Sequence, residues 1–147
     1  MDLQDPFRKM STTGSEERGL IFVDDDEAAI VKKLKSAVTD SGSEVRRGDD
    51  KPGITNLIDI LAATRGLGPA EIEREFADSR YGEFKLAVAH AVAAYLAPVR
   101  ERYAQLRPDE AALEAALTQG AERARAIASE TLVDVRDAMG IGAQRPA

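Results

Sequence analysis

The sequence predicts a mainly α protein, a helical bundle preceded by a mobile loop and one short extended segment. Three observations carry this. From Ile30 onward, apolar residues recur at helical spacing. Only residues 18–23 (RGLIFV) have strand character, and one strand cannot make a stable sheet alone. Ahead of them, residues 8–14 (RKMSTTG) form a polar run whose hydroxyls and glycine suit a loop, in a loose amino-terminal arm.

Each element follows from its residues. Residues 24–27 (DDDE) set Asp24 three positions before Glu27, the spacing of a helix cap with a returning carboxylate. That reading outweighs a metal site, because neighbouring acids also suit the positive end of the helix dipole. Ile30, Leu34, Ala37 and Val38 then line the apolar face of an amphipathic helix, with Lys32, Lys33 and Lys35 opposite, ending near residues 39–43. Residues 40–53 (DSGSEVRRGDDKPG) hold three glycines and a proline without a sustained period; they form the longest loop, of a length that is often functional or mobile.

Beyond Pro52 and Gly53, Ile54, Leu57, Ile58 and Leu61 predict a core helix that Gly66 stops. In residues 68–76, Pro69 suits a first turn and Ile72 and Phe76 mark the buried side of a shorter helix. A long helix follows over 83–106, its stripe traced by Phe84, Val88, Val92, Tyr95, Val99, Tyr103 and Leu106, with a kink expected at Pro98. The last helix starts at residues 108–110 and runs to Met139, using Leu113, Leu117, Ala121, Ala124, Ala128, Leu132, Val135 and Met139 before Gly140 ends it. Gly120 inside it costs about 1 kcal/mol against alanine, which marks either close approach of another backbone or a tolerated weak point. Residues 141–147 read as a frayed tail.

Composition narrows the function. At 147 residues the chain holds one ordinary domain, so a large active site must be shared with something else. The absence of cysteine removes disulfides, thiolate zinc sites and cysteine nucleophiles, and makes a reducing cytoplasm the easier expectation. No apolar run approaches the length of a membrane span, and residues 1–6 (MDLQDP) do not resemble a signal peptide. A net charge of -6 argues against coating nucleic acid with the whole surface. Residues 28–47 nonetheless carry Lys32, Lys33, Lys35, Arg46 and Arg47 against Asp40 and Glu44, a net +3. Charge alone favours a solvated helix face over a binding patch there.

The sole histidine, His90, has no Ser, Cys or second His placed to complete a catalytic group, and reads as structural. Tyr81, Tyr95 and Tyr103 read as core or interface residues whose hydroxyls reach the surface. Arg100, Arg102, Arg123 and Arg125 are expected to make surface pairs with Glu101, Glu122 and Glu130. No residues are identified as metal ligands. The opening loop is the remaining candidate: a lysine, hydroxyls and backbone amides can fold over polyphosphate and balance its charge.

RKMSTTG resembles the KMSKS loop of class I aminoacyl-tRNA synthetases, and the chain beyond it resembles the carboxy-terminal part of the bacterial tryptophanyl-tRNA synthetase family. The ordered series is MDLQDPFRKMS at 1–11, LKSAVTDS at 34–41, KPGITNLIDI at 51–60, YGEFK at 81–85, LAPVRERY at 96–103 and GAERARAIASETLVDVRDAMGI at 120–141, so the resemblance covers nearly the whole chain. Tyrosyl-tRNA synthetases, the nearest relatives, lack this helical tail.

The resemblance implies ATP, tryptophan and tRNA(Trp) as ligands, tryptophanyl-adenylate as intermediate, Mg2+ accompanying ATP, and a homodimeric full-length enzyme in the cytoplasm. By this resemblance residues 1–23 end a nucleotide-binding catalytic domain, 24–140 form the helical anticodon-binding region and 141–147 a tail. Lys9 matches the first lysine of the motif and Ser11 its serine; Thr12 stands where the second lysine would be. Lys9, Met10, Ser11, Thr12 and Thr13 are thus the implied ATP-phosphate residues, with Lys9 the catalytic one. Lys32, Lys33, Lys35, Arg46 and Arg47 are the tRNA candidates. The upstream half with the HIGH-like signature is not in the sequence, so the chain is expected to be an inactive, monomeric carboxy-terminal fragment. The alternative is a free-standing helical interaction module.

Overall fold

A computed structural model describes residues 1–141. The chain divides into two compact units, Met1–Tyr103 and a second beginning at Ala104. Among the described residues there are five α-helices: α1 Glu27–Lys35, α2 Pro52–Arg65, α3 Pro69–Glu75, α4 Tyr81–Leu106 and α5 Glu110–Met139. No strand forms among them. Within the stretch expected to be extended, Glu17–Gly19 instead make a 3₁₀ turn, and Leu20 alone of its apolar side chains is fully buried. The Gly19 and Leu20 amides bond back to the Glu16 and Glu17 carbonyls, and the Gly19 carbonyl takes an amide from the amino-terminal arm.

Four helices of the first unit converge on one core. α1 contributes Ile30 and Leu34, α2 Ile54, Leu57, Ile58 and Leu61, α3 Ile72, and α4 Phe84 and Val88. Each such side chain contributes about 1.5–3 kcal/mol by leaving water. Phe76 closes the core edge-on to Phe84, with ring centroids 5.1 Å apart. Pro52 opens α2 where no amide donor is needed, and Gly66, at φ 66°, ends it in the left-handed conformation as its sequence implied. A β-carbon on Gly53 would collide with the Val38 carbonyl oxygen, so only glycine lets α2 come this close to the preceding chain.

Several expectations change. The helix cap is Asp26, whose carboxylate accepts the Ala29 amide at 2.7 Å, and not Asp24. Asp25 is used differently, accepting the Phe22 amide and pairing with Lys33. α1 stops at Lys35, so Ala37 is buried but Val38 is exposed. The amino-terminal arm is not loose: Leu3 is 2% exposed, donates its amide to the Gly19 carbonyl and accepts from the Val38 amide. The long loop is pinned too, with Val45 buried and the Tyr81 hydroxyl donating to the Asp40 carboxylate at 2.9 Å.

The stripe of α4 is buried only in its first half; Phe84, Val88 and Val92 are inside, whereas Tyr95, Val99, Tyr103 and Leu106 are exposed. The helix continues through Pro98, which leaves the Ala94 carbonyl without its usual amide, and Arg100 donates to the adjacent Ala93 carbonyl. In the second unit, Asp109 caps α5 by accepting the Ala112 amide, and Gly140 ends it at φ 67°, as read. No residue of α5 is buried, so the expected apolar face lies uncovered. Open space surrounds the β-carbon position of Gly120, which favours the weak-point reading over close approach. Arg123 and Arg125 form no ion pair with Glu122 or Glu130 among the described residues. Residues 142–147 of the expected tail lie outside the described residues.

Candidate functional site

The loop that bears Lys9 is a closed hydrogen-bonded turn. Ser11 is its hub: its carbonyl accepts from the Gly14 and Ser15 amides at 3.3 and 3.0 Å, and its hydroxyl lies 3.1 Å from that of Thr13. Arg8 straps the turn from outside, donating from Nη2 to the Gly14 carbonyl at 2.9 Å. Met10 packs against the hydrophobic core and anchors the loop from within. Lys9, Thr12 and Thr13 are exposed, Ser11 is half-buried, and Lys9 makes no ion pair among the described residues. The five residues nominated from the sequence therefore share one turn, with the ammonium free to meet an anion.

A residue missed in the sequence organises this turn. Asp2 is 4% exposed, and its Oδ1 accepts from the Gln4 amide at 2.7 Å and the Asp5 amide at 3.2 Å. Burial works against its charge, but the Ser15 hydroxyl, those two amides and the Arg8 guanidinium outweigh it and hold the carboxyl below the usual carboxylate range. A β-carbon on Gly19 would run into this carboxylate. The available signal was the Asp-x-x-Asp-Pro pattern of residues 2–6, since an Asp commonly accepts the amide two residues on.

The basic candidates separate. Lys32 and Lys35 are exposed on α1. Lys33, read as their neighbour on the solvent face, is buried: its ammonium contacts both Asp25 oxygens at 2.7 and 2.9 Å and lies 4.7 Å from the centre of the Phe22 ring. A cleft of about 490 Å³ runs between Glu17, Arg18, Ala29, Lys32, Lys33 and Ser36. Arg46 is gripped by Glu44 and by both oxygens of Asp50, the closest at 2.7 Å, which raises its pKa further. Arg47 pairs with Asp59 at 3.3 Å, and its amide donates to Glu73.

Tyr81 differs from its reading as well. Its hydroxyl meets both Asp40 oxygens at 2.9 Å and accepts from the Lys51 ammonium at 2.8 Å, while Lys51 also pairs with Asp40 at 3.0 Å. Burial and Asp40 push the phenol up; Tyr81 and Asp40 push the ammonium up; and Lys51, Tyr81 and the Gly42 amide lower Asp40 against its burial. The triad fastens the long loop to α4. Tyr95 and Tyr103 remain exposed, and His90, also exposed, sits 3.3 Å from Glu27 of α1. Among the described residues, no group of three or more His, Cys, Asp or Glu is placed to hold a metal ion, and no helix is long and apolar enough to cross a membrane.

Comparison with known proteins adds the wider frame. The family described as tRNA synthetases class I (W and Y) matches residues 1–97. A tryptophan–tRNA ligase of Halalkalibacterium halodurans is 42% identical over 146 residues, 99% of this chain and 44% of the relative. Tryptophan–tRNA ligase 2 of Streptomyces avermitilis is 41% identical over 95% of this chain and 42% of its own length. The chain thus spans under half the length of the curated relatives it matches. The crystal structure of tryptophanyl-tRNA synthetase from Mycoplasma pneumoniae superposes with a TM-score of 0.80 at 31% identity, covering 98% of this chain and 46% of that one.

Proposed function

The chain belongs to the class I tRNA synthetases (W and Y), and on that premise we propose that it is the carboxy-terminal portion of a tryptophan–tRNA ligase. That enzyme activates tryptophan with ATP and attaches it to tRNA(Trp). The observation that carries the reading is the 42% identity with a tryptophan–tRNA ligase over 146 residues, a run that takes in the Lys9 loop and every helix together. Its division of labour is an ATP loop followed by tRNA-binding helices.

Lys9 is the group that meets the triphosphate. Its exposed ammonium, with the hydroxyls of Ser11, Thr12 and Thr13 on the same turn, offsets charge that builds on pyrophosphate as the tryptophan carboxylate attacks the α-phosphorus. Thr12 in place of a second lysine leaves that work to fewer cations. Magnesium accompanies ATP as a counterion on its phosphates. Tryptophan is held by the remainder of the ligase, which acts as a cytoplasmic homodimer. On α1, Lys32 and Lys35 offer free ammonium groups to tRNA phosphates, and Arg46 and Arg47 of the long loop stand as candidates already paired with carboxylates; Lys33, buried against Asp25, drops out of the set.

The test is tryptophan-dependent exchange of pyrophosphate into ATP. The 147-residue chain, expected to be monomeric in a sizing measurement, has none by itself. Mixed with the remaining portion of a tryptophan–tRNA ligase it restores exchange, and Lys9→Ala lowers the restored rate about 100-fold. Exchange as fast with Lys9→Ala as without it overturns the role of the loop. Binding of tRNA(Trp) by the chain should weaken steeply as salt rises.

A further inference from the structure

Asn56 lies on α2, among core residues, yet it is 7% exposed and polar. A buried amide of this kind is retained where its hydrogen bonds are used. Asn56 Nδ2 donates to the carbonyls of Met1 and Asp2, each at 3.2 Å, and its Oδ1 accepts from the Met1 nitrogen at 2.9 Å. The amide therefore fixes the backbone from which the Asp2 side chain projects.

Asp2 passes that position onward. Its carboxylate accepts the Gln4 and Asp5 amides on one side of the loop and faces the Ser15 hydroxyl on the other. Ser15 in turn accepts the Ser11 amide at 3.3 Å, and the Asp2 amide donates to the Arg8 carbonyl at 2.8 Å. Both ends of the turn that carries Lys9 are thereby tied to Asp2, the Arg8 end through its backbone amide and the Ser15 end through its carboxylate, and the backbone of Asp2 is tied to one side-chain amide of the helical core. Gly19 leaves the space in which it sits.

We propose that Asn56 and Asp2 form a positioning relay that sets the Lys9 loop from α2. Neither residue touches nucleotide; they act through the backbone of residues 1–15. The functional consequence rests on the nucleotide reading of that loop, while the relay itself can be tested without it. An ammonium placed in advance loses less freedom when phosphate arrives.

The experiment is amide hydrogen exchange, resolved by residue, on the 147-residue chain and three variants. Asn56→Ala and Asp2→Ala should speed exchange at Gln4, Asp5 and Ser15 about tenfold and leave Leu57–Leu61 and the amides around Val88 unchanged. Ile58→Val, which loosens the packing of the same helix without touching Met1 or Asp2, should leave the loop amides as they are. If Asn56→Ala does not hold the fold, Asn56→Gln carries the amide one methylene too far and gives the same local loss. Loop amides unmoved by Asp2→Ala, or moved equally by Ile58→Val, overturn the relay. Titration with inorganic triphosphate separates the two claims: it should shift the signals of residues 9–14, with about tenfold weaker affinity in Asp2→Ala. If triphosphate shifts none of them while the exchange pattern holds, the nucleotide reading fails and the relay stands.

Discussion

The unit Met1–Tyr103 and helix α5 share the same sequence grammar and reach opposite outcomes. In the first, apolar residues at helical spacing become a closed core in which Ile30, Leu34, Ile54, Ile58, Ile72, Phe84 and Val88 lose all or nearly all contact with water. In the second, an equally regular series leaves Leu117, Leu132, Val135 and Met139 between 44% and 67% exposed. Periodicity therefore records that a face is apolar, not that the same chain supplies what covers it. The two differ in cohesion rather than in helix signals, since α5 is capped at both ends by the expected residues.

The sharpest way to break this contrast is truncation. Phe84→Ala should destabilise the first unit by about 3–5 kcal/mol in denaturant unfolding, much of the stability of an ordinary domain. Leu117→Ala should change it by less than about 0.5 kcal/mol. A large cost at Leu117 would mean that the face of α5 is covered after all. The glycines give a smaller contrast of opposite sign. Gly53→Ala drives a methyl into the Val38 carbonyl and should cost about 1–3 kcal/mol, whereas Gly120→Ala, in open space, should raise the stability of α5 by about 1 kcal/mol.

The smallest effect is a slope with pH. Asp2 and Asp40 both titrate lower in the folded state than in the unfolded chain, where the carboxyl value is near 3.8. Their contribution is complete above that value and is lost as pH falls through the folded-state pKa. Unfolding curves collected between pH 5 and pH 2 should show the first unit weakening on acidification, less steeply in Asp2→Asn and Asp40→Asn. Equal slopes in all three proteins would remove these carboxylates from the account.

What could be read in advance was local. Pro52, Gly66, Pro69, Asp109 and Gly140 mark helix ends by backbone chemistry that needs no knowledge of the fold, and they stand where the sequence placed them. The spacing to Glu27 selects Asp24 as the cap, but Asp24, Asp25 and Asp26 carry the same carboxylate within three positions, and only the path of the chain chooses Asp26. Lys33 counted toward a basic face until the fold brought Asp25 and Phe22 around it. At the candidate site, the turn from Lys9 to Thr13 was legible as a contiguous motif. Its supports were not: Asn56 and Asp2 are separated by more than fifty residues, and neither has a local pattern that names the other.

The two arginines of the long loop arrive at any polyanion already neutralised. Arg46 is spoken for by Glu44 and Asp50, and Arg47 by Asp59. A cation held in this way adds little positive potential at a distance, so it does not draw a ligand in; it enters a new contact by swapping one oxyanion for another. What the loop presents is a pair of planar forks with their direction fixed beforehand. On the proposed tRNA reading, attraction within a screening length, roughly 10 Å, falls to Lys32 and Lys35, and the loop governs only which geometry of acceptor is kept.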